Sequence, residues 1–443
     1  MAEHALAATK AAGLKPNVVF VPRPSASPAQ EAAARTGNLV SPLYTGTPAP
    51  IGLAYYGLSG IGTGLPVATV LQTDGVMGVV SANATGIQGM DLFQSSPDSF
   101  GIQLNAVVTN VTLFGHPGYQ FWTQNVVEFY PTSHFMVLVT NVWNFTGGAY
   151  NGSEFYAHGP AGTNAYGALG YYYAETVVPY PVAYPFNLIL TMNSTVASGR
   201  NNISFGVDLT SSAYPGEDFS ANGWDYVTFN SIAAVHPQPI TSPTPYTADG
   251  TTYNPIGLTN DFELDICGPG GGSQVDLSAA DATLGLAYLS DGSYVSVPAA
   301  YNYGGETGET ATGANVAWSN TVGGPGSLGT YGTMTTGPAI MSGLWGTGAP
   351  EGSYAVTLDV TPANAFNFLQ YNGTLLFSTP IVFQLNYAPS MLTRTFYLMP
   401  GSYELLTELS DYTPHTTVLT VTSTTLVSLT LPSNNALGVY TPL

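Results

Sequence analysis

The side chains of this chain that are best suited to chemistry are carboxylates. The densest group is Asp261-Phe262-Glu263-Leu264-Asp265. Alternate residues of a β-strand point to one face, about 6.6 Å apart for each two residues, so a strand here would align three acids. Like charges that close raise at least one pKa, which is what two carboxyl groups sharing a proton require. The chemistry that this pattern predicts is activation of water by an acid–base pair.

A second acidic group follows in Glu306-Thr307-Gly308-Glu309. Two acids three residues apart meet on one side only in a turn or at a helix start. The structural alternative for this group is an exposed loop. For the group at residues 261–265 it is a solvated strand edge whose charges block aggregation. Calcium is a further alternative there, although Ile266 stands where an EF-hand loop needs glycine.

Other chemistries lack their motifs. There is no G-x-S-x-G pattern, and the six histidines are isolated from one another. The run at residues 268–272 is glycine-rich but has no phosphate-loop lysine, so we predict a tight turn. One cysteine, Cys267, excludes an intrachain disulfide and a cysteine-based zinc site. We therefore expect no cofactor and no metal.

The charge composition excludes a nucleic-acid-binding protein. The chain has 6 Lys and Arg against 26 Asp and Glu, a formal net charge of -20, and only 7% charged residues. No basic patch exists to neutralise phosphates, so we exclude nucleic acid as a partner. Few carboxylates can be paired with cations, so little stability depends on ion pairs that acid would break. This composition favours an acidic medium.

The pattern of residues predicts an all-β protein in three parts. Residues 1–40 are Ala-rich and read as a leader or pro-segment. Residues 41–348 contain apolar or alternating runs between turns, which predict a large antiparallel sandwich or barrel-like body; the clearest runs are 101–112, 135–144, 186–192 and 282–289. Residues 351–443 have the spacing of a small C-terminal β-sandwich. No run of about 20 apolar residues predicts a membrane span.

Several segments, in order, resemble one family. Asp261-Phe262-Glu263-Leu264 with the glycine run to Ser273, and the stretch 302–310 (NYGGETGET), resemble the two acidic segments of the thermopsin family of archaeal acid peptidases. Earlier segments that agree in order are 50–54 (PIGLA), 103–105 (QLN), 122–126 (WTQNV) and 141–145 (NVWNF). The C-terminal part resembles PEGA-type surface β-domains.

The resemblance implies an exported, all-β endopeptidase that works at low pH and high temperature on polypeptides. Asp261, Glu263 and Glu309 keep acids of the family, and Glu306 replaces an aspartate. Three other family acids are replaced, at Tyr55, Thr140 and Asn230. If the catalytic pair used one of those positions, this chain would be inactive.

We predict a catalytic set of four acids: Asp261, Glu263, Glu309 and Glu306. The favoured pair is Asp261 or Glu263 with Glu309, and Asp265 is expected to matter less. A carboxylate paired with Gln103 or Gln124 is the alternative. These residues would act on a polypeptide substrate.

The alternative function is a non-catalytic, adhesive cell-surface glycoprotein. N-x-[ST] sequons occur at Asn83, Asn110, Asn144, Asn151, Asn193, Asn202 and Asn372. The C-terminal domain would then attach to a cell surface or to glycans. Either function places the protein outside the cell or on its surface, with a signal peptide missing from this sequence.

Overall fold

The structure is a computed structural model. It describes residues 50–55, 57–59, 67–68, 70–91, 98–144, 162–164, 171–211, 219–232, 238–249, 260–271, 273–303, 307, 309–319, 331–337, 340–342, 354–361, 366–371, 374–379, 393–398, 400–408, 413 and 415–432. The expected N-terminal segment at residues 1–40, and Glu306, lie outside these residues.

The strands of the body are long and numerous. They are β1 (Ile51–Tyr55), β2 (Leu58–Ser59), β3 (Val67–Ala68), β4 (Leu71–Thr73), β5 (Gly75–Asp91), β6 (Phe100–Leu113), β7 (His116–Tyr130), β8 (Phe135–Asn144), β9 (Gly162–Asn164), β10 (Tyr171–Pro179), β11 (Phe186–Ala197), β12 (Arg200–Ser211), β13 (Phe219–Thr228), β14 (Tyr246–Ala248), β15 (Phe262–Cys267), β16 (Gln274–Ser290), β17 (Ser293–Ser296), β18 (Tyr301–Tyr303), β19 (Thr310–Thr312), β20 (Ala314–Ser319) and β21 (Tyr331–Thr336). A single 3-10 turn, Pro131–Ser133, joins β7 to β8.

Two large open sheets make up most of the body. A ten-stranded sheet has the order β18-β1-β15-β6-β7-β8-β10-β9, with β14 and β4 beside β6. A nine-stranded sheet has the order β13-β12-β11-β5-β16-β21-β20, with β17 and β19 beside β16. Nearly all neighbours are antiparallel, and β19 runs parallel to β16. The predicted all-β class is confirmed, and the described strands form open sheets packed as a sandwich.

The hydrophobic core lies between these two sheets. Leu104 and Leu264 from the ten-stranded sheet come so close to Gly78 of β5 that a Cβ there would lie 2.6 Å from Leu264 Cδ1. Phe129 stacks on Phe186 across the same interface, with ring centroids 5.5 Å apart. Every second residue of the strands points into this core. We call the core side of the ten-stranded sheet its inner face and the opposite side its outer face.

The polar side chain of Asn125 is one link between the two sheets inside the core. The Asn125 amide of β7 donates to the carbonyl oxygens of Thr191 (3.1 Å) and Gly206 (2.8 Å) on the nine-stranded sheet. Its own oxygen accepts from the Trp224 indole at 3.4 Å. Asn125 is completely buried, so these bonds replace the water that its amide loses on folding. They fix how the ten-stranded sheet lies on its partner.

The C-terminal strands form two further sheets. They are β22 (Ile340–Ser342), β23 (Tyr354–Thr361), β24 (Phe366–Tyr371), β25 (Thr374–Thr379), β26 (Thr393–Leu398), β27 (Gly401–Glu408), β28 (His415–Val421) and β29 (Thr425–Thr430). The two four-stranded sheets have the orders β22-β26-β23-β29 and β25-β24-β27-β28. β22 lies before the predicted division at residues 348–351 and yet pairs with β26, while the division itself stays a prediction.

Within the described residues, no helix is long and apolar enough to span a membrane.

The Asn125 link predicts a cost for its removal. Asn125→Ala leaves two core carbonyls and an indole N–H with fewer partners, so we expect the free energy of unfolding to fall by roughly 1–3 kcal/mol. Denaturant unfolding measures this. Asn187→Ala, at an exposed position of β11, is the control, with an expected change within about 0.5 kcal/mol. Equal losses in both variants would mean that the link contributes nothing.

Candidate active site

The predicted strand of acids exists, and it lies in the middle of a sheet. β15 pairs with β1 on one side and with β6 on the other. Phe262, Leu264 and Ile266 fill the core, so alternation turns Asp261, Glu263 and Asp265 to the outer face. All three acids are 0% exposed. The alternative of a solvated strand edge is therefore wrong, because β15 has neighbours on both sides and its acids are out of water.

A group of amide side chains lies beside these acids on the outer face. Asn105 of β6, Gln124 of β7 and Asn141 of β8 are direct cross-strand neighbours, and Gln103 lies two residues from Asn105. Asn141 Nδ2 donates to Gln124 Oε1 at 3.0 Å. Gln124 Nε2 donates to Gln103 Oε1 at 2.9 Å and to Asn105 Oδ1 at 3.2 Å. We call these four side chains the amide fork.

Each branch of the amide fork ends on a carboxyl group. Asn105 Nδ2 donates to Asp265 Oδ2 at 3.2 Å. Gln103 Nε2 donates to Glu309 Oε2 at 3.3 Å. The Thr307 hydroxyl also donates to that oxygen of Glu309. The structure thus brings Glu309, about forty residues further along the chain, to the outer face that holds the acids of β15.

A glycine turn makes this approach of Glu309 feasible. Gly270 and Gly271 have φ values of +106° and +66°, and the Ser273 amide donates to the Gly270 carbonyl at 3.3 Å. Gly268 N then bonds Thr310 O, and Thr310 N bonds Ser273 O, each at 3.1 Å. A Cβ at Gly268 would lie 2.3 Å from Ser273 O. The predicted tight turn is confirmed, and it anchors the residue that follows Glu309.

Burial and like charge act together on Asp265. Burial raises the pKa of this carboxyl well above its usual range, and the adjacent Glu263, by its charge and by a hydrogen bond, raises the pKa further. The Asn105 bond acts in the opposite direction. Burial and the neighbouring Glu263 therefore favour the protonated form of Asp265 in the folded protein.

The single cysteine shows how closely the acids gather. Burial raises the pKa of the Cys267 thiol, and the charges of Glu309, Asp265, Glu128 and Glu263 raise it further. Glu128 of β7 is 3% exposed, and its Oε2 accepts from Tyr130 at 3.0 Å. Four carboxyl groups are thus close enough to act electrostatically on one buried thiol. No three His, Cys, Asp or Glu side chains in the described part of the chain form a candidate metal site.

An apolar group adjoins the polar part of the outer face. Val126, Val137 and Val139 are buried together, with Tyr173 and Val177 packed against them. These residues keep water away from the amide fork on the β8 and β10 side. The neighbouring Tyr172 points the other way, into the core, where it donates to both oxygens of Asp225 at 3.1 and 2.9 Å.

The structure thus brings Asp261, Glu263 and Glu309 of the predicted set to one face, and it adds residues that the sequence did not single out. Asp265 accepts from the amide fork through Asn105 and has a raised pKa, although sequence analysis gave it the smaller role. Glu128, Asn105 and Asn141 were not predicted. The sequence pattern that could have identified them is the recurrence of polar residues at every second position within the mainly apolar strands β6, β7 and β8.

The replaced family acids lie apart from this cluster. Tyr55 packs against Phe262 in the core, with ring centroids 6.2 Å apart. Thr140 is the cross-strand partner of Asn125 and shares its inner face. The carbonyl of Asn230 accepts from the Phe114 amide at 2.7 Å, beyond the end of β13. None of these three residues belongs to β15, the strand that carries the acids.

The body is an all-β sandwich, and one of its sheets holds buried carboxyl groups next to a less buried glutamate. This arrangement of carboxyl groups is suited to acid–base chemistry. The family model described as Thermopsin matches residues 37–314 of the chain. The chain therefore belongs to the thermopsin family. It is 26% identical over 310 residues to a protein of Sulfolobus acidocaldarius named thermopsin, which covers 69% of this chain and 87% of that protein.

The raised pKa of Asp265 makes stability depend on pH with a definite sign. Its contribution is fully present below its unfolded pKa of about 3.9 and is lost as pH rises through the higher folded pKa. Burial raises the pKa of Asp249 to about 6, which adds a loss of the same sign between about pH 4 and 6. The free energy of unfolding should thus fall from pH 3 to pH 7, and Asp265→Asn should make that fall shallower.

Thermal or denaturant unfolding across pH measures this slope for both proteins. Asp359→Asn, at an exposed position of β23, is the matched control and should keep the slope of the unmutated protein. Identical slopes for Asp265→Asn and the unmutated chain would show that Asp265 ionises alike in the folded and unfolded states.

Proposed function

We propose that this protein is an acid endopeptidase in which Glu309 meets the substrate and the Glu263–Asp265 pair supplies a proton. Membership of the thermopsin family supports a peptidase. The observation that carries the mechanism is the hydrogen-bonded amide fork, which joins a buried carboxyl pair to Glu309 on one face of a sheet.

Glu309 is the acid of this cluster best placed to reach a substrate. Its side chain is partly exposed, whereas Asp261, Glu263 and Asp265 are 0% exposed. Gln103 and Thr307 both donate to its Oε2, so these bonds hold the carboxylate in one orientation.

The proposed reaction uses two carboxyl groups in opposite protonation states. The ionised Glu309 takes a proton from water, and the resulting hydroxide adds to the peptide carbonyl carbon. The C–N bond then breaks, and the leaving amine takes a proton from the protonated member of the Glu263–Asp265 pair. The proton on Glu309 returns to that pair at the end of the cycle. Low pH favours the protonated pair from which this cycle starts.

A second arrangement is supported by the contact between Gln103 and Glu309. In it, the Gln103 amide polarises the peptide carbonyl in place of a carboxyl group, while Glu309 activates water and then protonates the amine. The 3.3 Å bond places this amide next to Glu309. The two arrangements differ in whether Gln103 or Glu263 is indispensable.

The non-catalytic alternative rests on the replaced acids. Tyr55 and Thr140 point to the inner face of the sheet, away from the acidic cluster. Their replacement therefore leaves the proposed carboxyl groups intact. This supports a catalytic function over an adhesive one.

The first test is cleavage of an unfolded protein, such as acid-denatured casein, between pH 2 and 5. Glu309→Gln should lower kcat by roughly 10²- to 10⁴-fold because the water-activating group is lost, while the fold is kept. Glu404→Gln, exposed on β27, is the matched control and should retain activity. Full activity in Glu309→Gln, or inactivity of the unmutated chain, would refute the proposal.

Two more variants separate the arrangements. If the carboxyl pair supplies the proton, Glu263→Gln should lose activity and Gln103→Leu should keep much of it. If Gln103 polarises the carbonyl, the order should be reversed. Both variants are compared at pH 3, with circular dichroism to verify the sheet structure.

We also propose that the chain works outside the cell, in an acidic medium. The small number of basic residues and the acid-stabilised Asp265 support this setting. Fractionation of the source cells tests it, and recovery of the protein only from the cytoplasm would contradict it. Attachment to a surface or to glycans through the C-terminal sandwich stays a prediction.

A further inference from the structure

The hydrogen bonds of the amide fork fix which end of each side-chain amide donates and which end accepts. A primary amide has one oxygen that accepts and one NH₂ group that donates two bonds, while an ionised carboxylate only accepts. Gln103 and Asn105 must therefore turn their nitrogens toward Glu309 and Asp265. Their oxygens then face Gln124, which meets them with both of its N–H bonds.

Gln124 is the one side chain shared by the two branches. Its NH₂ group is fully used, because one N–H goes to Gln103 at 2.9 Å and the other to Asn105 at 3.2 Å. Its oxygen accepts from Asn141 at 3.0 Å. Gln124 is 5% exposed, so water does not readily replace these bonds. Rotation of its amide by 180° would bring oxygen against oxygen on both branches.

We propose that Gln124 is a positioning residue that orients Glu309 and Asp265 together, so that each carboxyl group accepts from the fork on one fixed oxygen. This inference rests on the proposed function for its role in catalysis. Gln124 touches neither carboxyl group and acts through Gln103 and Asn105.

The geometry specifies where protons lie. Glu309 Oε2 and Asp265 Oδ2 both accept N–H bonds, so a proton is disfavoured on these two oxygens. The remaining oxygen of Asp265, Oδ1, is buried and has no N–H donor among the described residues. A proton on Asp265 is therefore favoured on Oδ1.

Other titratable groups of the outer face act on the same network. They are Asp261 just before β15, Glu263, Asp265 and Cys267 on β15, Glu128 on β7 itself, Tyr173 and Glu175 on β10, and Glu309 before β19. Tyr130 donates to Glu128, and Tyr173 donates to Glu175. Gln124 differs from all of them because it has no charge in any pH range and yet bonds to both branches.

The test is the variant Gln124→Met, which keeps length and volume but has no N–H group. Gln103 and Asn105 are then free to turn, and the carboxyl groups lose oriented donors. Loss of the oriented Asn105 donor raises the pKa of Asp265, so the limb of the pH–activity profile that Asp265 sets should move up by roughly 0.5–1 pH unit. The pH dependence of kcat/KM for casein peptides measures the shift.

Thr109→Val is the matched control. It removes a buried polar contact of β6, the 2.6 Å bond to Thr247, at a distance along the strand from the fork. It should lower stability without moving the pH profile. An unmoved profile in Gln124→Met, or a shift to lower pH, would overturn the proposal and leave Gln124 as a merely structural residue.

A second variant covers a failure of Gln124→Met to fold. Gln124→Glu, when protonated, has one O–H donor and one accepting oxygen, so it restores one branch of the fork. At low pH, the pH–activity profile of Gln124→Glu should lie between the profile of the unmutated protein and that expected for Gln124→Met. A profile that coincides with the unmutated one would count against the proposal.

Failure of the proposed function is distinguishable from failure of this inference. If the unmutated chain cleaves nothing, the peptidase is refuted, and the fork is then tested by stability. Gln124→Met should move the pH at which acid stabilisation is lost upward, because the folded pKa of Asp265 rises when Asn105 no longer donates to it. If the acid stabilisation is lost at the same pH in Gln124→Met and in the unmutated chain, the inference is overturned independently of catalysis.

Discussion

A carboxyl group removed from water must either keep its proton or find a counter-charge. This chain has only 6 Lys and Arg, so most of its buried acids must be neutral or hydrogen-bonded to amides. The outer face of the ten-stranded sheet shows that outcome. Burial and Glu263 raise the pKa of Asp265 there, and the carboxyl groups of Asp265 and Glu309 accept from the amides of Asn105 and Gln103.

Two-sided burial of β15 is what converts a row of acids into a candidate active site. An edge strand would have left these acids hydrated and ionised. Pairing with β1 and β6 removes that solvent and brings the amides of β6 and β7 beside the acids. The glycine turn after Cys267 then brings Glu309 to the same face. A partly exposed acid and two buried acids thus acquire different environments within one cluster.

Sequence reasoning reached the class and many of the strands, because alternation of apolar residues has a clear two-residue period. The run 135–144 coincides with β8, and 101–112 lies within β6. It also predicted the acids of β15 and the turn at residues 268–272. It did not predict the amide fork, because hydrogen bonds between β6, β7 and β8 depend on strand order and register. Asp265 was underrated for the same reason, since its pKa depends on burial that a period-two pattern does not show.

The reliance on amides has a chemical consequence for the lifetime of the protein. Asparagine deamidates when its backbone bends back to form a cyclic imide, and amide hydrolysis in acid requires water. Asn105 and Asn141 lie in strands paired on both sides, which holds their backbone extended. Asn105 is also completely buried. The same pairing that positions the fork therefore slows its chemical ageing, and each amide converted to an acid would add a charge beside carboxyl groups that already repel one another.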